Sequence, residues 1–133
     1  MIVVDTSVLI DFLRGTRTAA TDLFARLEED AVSFMIPVVC FQEVLQGARD
    51  QKEWRLLNDY LGSQRLLVPD SPIDMHREAA RIFFDARRKG ITVRSTVDCM
   101  IAAQTLRQGA TLLHDDEDFE RIAAVRPLRT VRG

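Results

Sequence analysis

The chain has 133 residues, 47% of them hydrophobic, and a formal net charge of -2 at pH 7. That length supports one domain with its own core, and the balance excludes a disordered or collagen-like chain. No apolar run approaches the roughly 20 residues needed to span a bilayer, and the near-neutral charge provides no global basic field for nucleic acid.

The opening Met1-Ile2-Val3-Val4-Asp5 lacks a signal peptide's basic region and cleavage site and enters directly what reads as a buried strand, Ile2 to Val4. A cytoplasmic location is expected. Asp5-Thr6-Ser7 breaks the strand, and Val8 to Leu13 is apolar at helical spacing up to Gly15. Thr18 to Glu29 sets Ala20, Leu23, Phe24 and Leu27 on one helix face. Ala31 to Ile36 reads as a second strand, with Pro37 in the first turn of a helix that continues from Val38 to Ala48. Glu53 to Leu61 reads as helix and Arg65 to Val68 as a third strand. A long helix opens at Ser71-Pro72 and runs to Lys89, where Gly90 stops it. Ser95 to Gln108 is helical and closed by Gly109. Ala110 to Leu113 is a fourth strand, Asp116 to Ala124 a short helix, and Leu128 to Val131 a last strand. Strands alternating with helices imply an α/β fold: a central parallel sheet of about five strands, flanked by helices, in a single domain spanning 1–133.

Cys40 and Cys99 lie far apart in apolar stretches and read as buried, reduced thiols. His76 and His114 have no ligand-spaced companions, which argues against zinc. Of 18 Lys and Arg residues only Lys52 and Lys89 are lysine. Arginine suits bidentate phosphate contact, although an Arg-rich composition also follows from a GC-rich genome.

The chemistry points to acids. In open parallel sheets ligands bind beyond the carboxyl ends of the strands, and there the sequence places Asp5, after the first strand, and Asp115, Asp116 and Asp118, after the fourth. Asp98 lies in the first turn of the helix before that strand, and Glu43 falls within the helix after the second. Each alone has a structural explanation. Asp5 suits a helix N-cap, Ser95 to Asp98 has capping-box spacing, the acids at 115–118 suit a helix dipole, and Glu43 suits a solvated helix face. Together, with no Lys or Arg in the adjacent motifs to neutralise them, they suggest a cation. Carboxylates without His or Cys favour Mg2+ or Mn2+, whose shell substrate phosphate commonly completes. Such a site suits phosphodiester hydrolysis, and no Ser-His pair supports a covalent route.

Four segments resemble the PIN domain in order: Met1 to Ile10, Val38 to Gly47, Arg94 to Ala103, and Ala110 to Phe119. The chain is most similar to VapC toxins of bacterial toxin-antitoxin pairs. The resemblance implies a Mg2+-dependent endoribonuclease, with Mn2+ able to substitute, that acts on RNA, is restrained by a small antitoxin protein and forms homodimers. It assigns Asp5, Glu43, Asp98 and Asp116 as catalytic, with Asp5, Asp98 and Asp116 as metal ligands. Thr6 and Ser7 fall on the small polar pair that can hydrogen-bond the first acid or a scissile phosphate. Arg94 is a candidate phosphate contact or an exposed loop residue. Position 114 is His where the family usually has Thr, which leaves Asp115 or Asp118 as alternatives for the fourth acid. A housekeeping PIN nuclease, or a PIN-like domain that only binds RNA or protein, is the competing reading. A phospho-receiver domain fails because neither lysine follows the last strand. A DxD phosphatase fails at Ser7, and a dinucleotide-binding domain lacks the glycine-rich turn.

Overall fold

The computed structural model describes residues 1–133. In chain order the elements are β1 (Ile2–Val4), α1 (Thr6–Leu13), α2 (Ala19–Glu29), β2 (Phe34–Pro37), α3 (Val38–Gln46) and α4 (Gln51–Gly62). Then come β3 (Leu66–Leu67), α5 (Pro72–Arg88), α6 (Thr96–Arg107), β4 (Thr111–Leu113), α7 (Glu117–Ala123) and β5 (Arg129–Val131). The strands form one 5-stranded sheet in the order β3-β2-β1-β4-β5, and every pairing is parallel. No helix is long and apolar enough to cross a membrane.

β1 sits at the centre, and its Val3 and Val4 are fully buried, as a strand covered on both faces requires. The strand order reverses between β1 and β4. The Asp5 amide continues that pairing by donating to the Leu113 carbonyl at 3.0 Å. The carboxyl ends of β1 and β4 therefore frame the crevice in which such sheets bind ligands.

Several boundaries differ from the expectation. The second strand begins at Phe34 rather than Ala31. Ala31 has a φ of 52°, and the Val32 amide donates back to Leu27, so these residues close α2 instead of extending a strand. Pro37 ends β2 and is the N-cap of α3, with extended backbone (φ -56°, ψ 140°), not a residue of its first turn. α1 begins at Thr6, two residues early, because the Asp5 side chain caps it. α4 begins at Gln51, capped by Asp50 accepting from the Glu53 amide. Leu45 and Leu61 belong to the core, whereas Trp54 and Leu56 are exposed.

α5 and α6 pack on one another, with Met75, Ala79, Ile82 and Ala86 of α5 buried. Arg126, just beyond α7, reaches back to α5, donating to Glu78 at 3.0 Å and Asp85 at 2.9 Å. This ties the end of α7 to the long helix, while α7 also packs against α6.

Candidate metal centre

Asp5 leaves β1 in extended conformation and caps α1. Its Oδ2 accepts from the Ser7 amide at 3.0 Å and the Ser7 hydroxyl at 2.5 Å. The Ser7 hydroxyl in turn accepts from the Asp115 amide at 3.0 Å, so one side chain fastens the end of β1 to the end of β4. Asp5 Oδ1 is buried and receives no hydrogen bond.

Asp98 lies in the first turn of α6, and its Oδ2 is likewise buried without a partner. The capping-box explanation fails, because no side-chain hydrogen bond caps α6 at Ser95. Asp98, Asp116 and Asp118 each present an oxygen within 4.8 Å of the others. Asp5 stands outside that trio but close enough for its charge to act on Asp98. Burial pushes the Asp98 carboxyl up to about 8, helped by the charges of Asp5 and Asp116. Burial also raises Asp5 to about 6, against the lowering effect of its Ser7 hydrogen bonds. Two buried carboxylates, each with an orphaned oxygen, are costly without a cation, since an unpaired buried charge loses several kcal/mol of hydration. Oxygen donors alone, with no thiolate or imidazole in the set, fit a hard divalent ion.

The three acids after β4 have different surroundings. Asp115 pairs with Arg132 at 3.1 Å. Asp118 is buried and fully engaged: Oδ2 accepts from the Arg94 and Ser95 amides, and Oδ1 accepts from Arg121 at 2.8 Å, with Arg94 Nε at 3.7 Å. Burial opposes its ionisation, but these donors and Asp98 hold its carboxyl below the usual range. Asp116 caps α7, with Oδ1 accepting from the Asp118 amide at 2.9 Å. The expectation that no cation neutralises the acids is thus corrected: Arg94, Arg121 and Arg132 do so for Asp118 and Asp115. The signal for Arg121 was available, an Asp and Arg three apart on one helix.

Glu43, half-buried on α3, accepts from the Thr6 hydroxyl at 2.7 Å through Oε1. Thr6 and Ser7 thus bond the neighbouring acids Glu43 and Asp5. Arg94 is exposed and leans on Asp118.

His114 is the feature sequence reasoning undervalued. It is fully buried and packs 5.1 Å from the Phe119 ring. Its Nδ1 accepts from the Asp116 amide at 3.1 Å, so the ring proton resides on Nε2, 2.8 Å from Glu120 Oε1. Thr130 donates to that same Glu120 oxygen at 3.0 Å. Burial lowers the His114 pKa despite Glu120. The imidazole therefore acts as a fixed acceptor for the Asp116 amide.

A profile of the PIN domain matches residues 2–125. Ribonuclease VapC11 of Mycobacterium tuberculosis is 38% identical over 130 residues, covering 97% of this chain and 96% of that protein. Among solved structures, VapBC2 from Rickettsia felis, bound to a DNA fragment from its promoter, superposes with a TM-score of 0.76 at 16% identity, covering 98% of both chains. DNA-bound VapBC from Salmonella typhimurium gives 0.75 at 18% identity, covering 98% of this chain and 96% of that one. At those identities the structural likeness is one of fold.

Proposed function

The chain belongs to the PIN-domain family, and from that premise we propose that it is a Mg2+- or Mn2+-dependent endoribonuclease, the toxin of a toxin-antitoxin pair. The observation that carries this reading is the pair of orphaned, buried oxygens, Asp5 Oδ1 and Asp98 Oδ2, at the carboxyl edge of the sheet. Relatives named as VapC ribonucleases supply the substrate class, and neighbours that are VapBC complexes supply the partner class.

Asp5, Asp98 and Asp116 would hold the ion. Asp116 is chosen over its neighbours because Asp115 and Asp118 are held by arginines, whereas Asp116 Oδ2 has no hydrogen-bond donor assigned to it. When bound, the cation neutralises charge on the scissile phosphate and acidifies water. Glu43 keeps Oε2 free beside its Thr6 bond and accepts the proton from the attacking water. Thr6 orients Glu43, Ser7 orients Asp5, and Arg94 contacts a phosphate oxygen.

The antitoxin reading is supported by a cleft of about 720 Å3 between α1, α3 and α4, bordered by Ile10, Leu13, Leu56, Leu57 and Tyr60. Its apolar residues, with the charged Arg14, Arg49 and Glu53 beside them, suit an amphipathic segment. A second apolar cleft of about 620 Å3, with Val38, Phe41, Trp54, Met75 and Met100 on its walls, suits pairing with another copy of the chain. The site faces the aqueous phase of the cytoplasm in this reading.

The deciding experiment is incubation of purified protein with RNA in Mg2+, in Mn2+ and in EDTA, alongside Asp98→Asn. We expect cleavage that both EDTA and the substitution abolish. Full activity of Asp98→Asn, or equal activity in EDTA, would overturn the reading.

A further inference from the structure

The most basic stretch of the chain lies outside the acidic centre and runs up to a cleft beside it. α5 ends with Arg87 and Arg88, Lys89 caps it, Gly90 reverses the chain with a φ of 72°, and Arg94 follows. The acids along α5 are taken elsewhere: Asp74 by Arg77, Glu78 by Arg126, and Asp85 by Arg81 and Arg126. Arg87, Arg88 and Lys89 make no ion pair. Instead the guanidiniums of Arg81, Arg87 and Arg88 gather around the Phe84 ring, 5.0, 5.9 and 5.6 Å from its centroid. Next to this helix end is an open cleft of about 500 Å3, lined by Gly90, Ile91, Thr92, Arg94 and Arg121, and its two arginines pair with Asp118 of the acidic trio. Along it Arg94 and Arg121 share the single carboxylate of Asp118, which leaves one of the two cations uncompensated.

We propose that Arg87, Arg88 and Lys89, together with Arg94 and Arg121 along the cleft, form a lane that binds the phosphates of a single RNA strand and leads it to the acidic centre. The proposal rests on the ribonuclease reading above. Physical necessity argues for such a lane. The centre's own carboxylates repel a polyanion, and the chain's net charge of -2 offers no long-range attraction. Local cations must therefore supply the affinity. Guanidiniums grip phosphate oxygens in bidentate fashion. Arginine planes held over an aromatic ring also offer surfaces on which unpaired bases stack, which favours a single strand over a duplex.

Binding of a fluorescein-labelled, mixed-sequence single-stranded RNA, followed by anisotropy in Ca2+ so that binding is read apart from cleavage, tests the lane. One variant carries Arg87→Gln, Arg88→Gln and Lys89→Gln. A control removes equal charge from α2 and α4 through Arg26→Gln, Lys52→Gln and Arg55→Gln. The first should bind about tenfold more weakly at moderate salt, with a log–log salt slope reduced by about 2, since each single-strand phosphate contact contributes roughly 0.7. Its Mn2+ affinity, by calorimetry, should match wild type. The control should keep wild-type RNA affinity. Equal losses in both variants would reduce the effect to bulk charge and overturn the lane. So would unchanged RNA binding in the first variant, including the case where it weakens only capture of the antitoxin. Wild-type protein that cleaves RNA while the first variant binds normally refutes the lane alone, whereas failure of wild type to cleave any RNA with Mn2+ refutes the function beneath it.

Discussion

Asp98 and Asp118 bring carboxylate oxygens within 4.8 Å of one another, yet one has an oxygen with no donor and the other is saturated with donors. The two should respond oppositely to substitution. Asp118→Ala removes the anchor for the Arg94 and Ser95 amides and for Arg121, leaving part-buried donors unpaired. It should destabilise the fold by on the order of 3 kcal/mol, with or without metal. Asp98→Asn removes the cost of keeping a buried carboxyl beside Asp5 and Asp116, where it must either ionise or take up a proton, so it should melt higher than wild type in EDTA and gain less from Mn2+. Thermal melts in EDTA and in Mn2+ check both. A helix-capping role for Asp98 requires a lower melting temperature in either condition.

The acceptor that His114 offers to the Asp116 amide can be replaced selectively. Asn at position 114 can still accept through its side-chain oxygen two residues ahead of that amide, whereas Leu cannot. His114→Leu should weaken Mn2+ binding about tenfold. His114→Asn should bind within a few-fold of wild type. Calorimetric titration of the purified variants separates this from a general packing defect, which would also lower the affinity of the Asn variant.

The metal-free protein should lose stability as pH rises. Asp5 and Asp98 hold protons in the folded state up to about 6 and about 8, whereas in the unfolded chain they release them near 4. A raised folded pKa contributes stability that is complete below about pH 4 and is lost as pH climbs through the folded values. Chemical denaturation in EDTA between pH 4 and 8 should show this decline, with a shallower one in Asp98→Asn. Mn2+ affinity should rise over the same interval, because the ion displaces those protons.

Leu56, 62% exposed on the rim of the α1/α3/α4 cleft, contributes nothing to the buried core. Leu56→Arg should therefore fold normally and cleave RNA at the wild-type rate. Capture of the antitoxin should weaken tenfold or more if the cleft receives an apolar anchor. Co-purification from cells expressing both proteins, paired with an RNA-cleavage assay of the toxin alone, reads the two properties separately.

The alternation of strands and helices was legible because apolar periodicity is a local signal, and the long amphipathic α5 shows it best. What escaped was set by particular hydrogen bonds, some local and some across the chain, that residue type alone does not reveal. Ala31 and Val32 look like strand by composition, but the turn that closes α2 claims them. Asp5 and Asp116 stood out as acids that follow parallel strands, and Asp98 as an acid in the first turn of the helix before β4. Asp118 looked equally eligible. Its commitment to amides 23 and 24 residues earlier could not be read from the spacing of neighbours. His114 read as a departure from pattern, because the amide it serves and the Glu120 that orients it become visible only when the ring is buried.

The bond between the Ser7 hydroxyl and the Asp115 amide joins positions 108 residues apart, and β1 lies between β2 and β4. As the chain leaves the ribosome, the first acid emerges long before the strand that closes its pocket. An unfinished chain that stops before β4 has neither the edge that completes the central strand nor Asp116. Pairing across so long an interval forms late, since the loop entropy must be overcome first. The order of synthesis thus acts as a timer: the centre stays open and unable to assemble until β4 and Asp116 have been made.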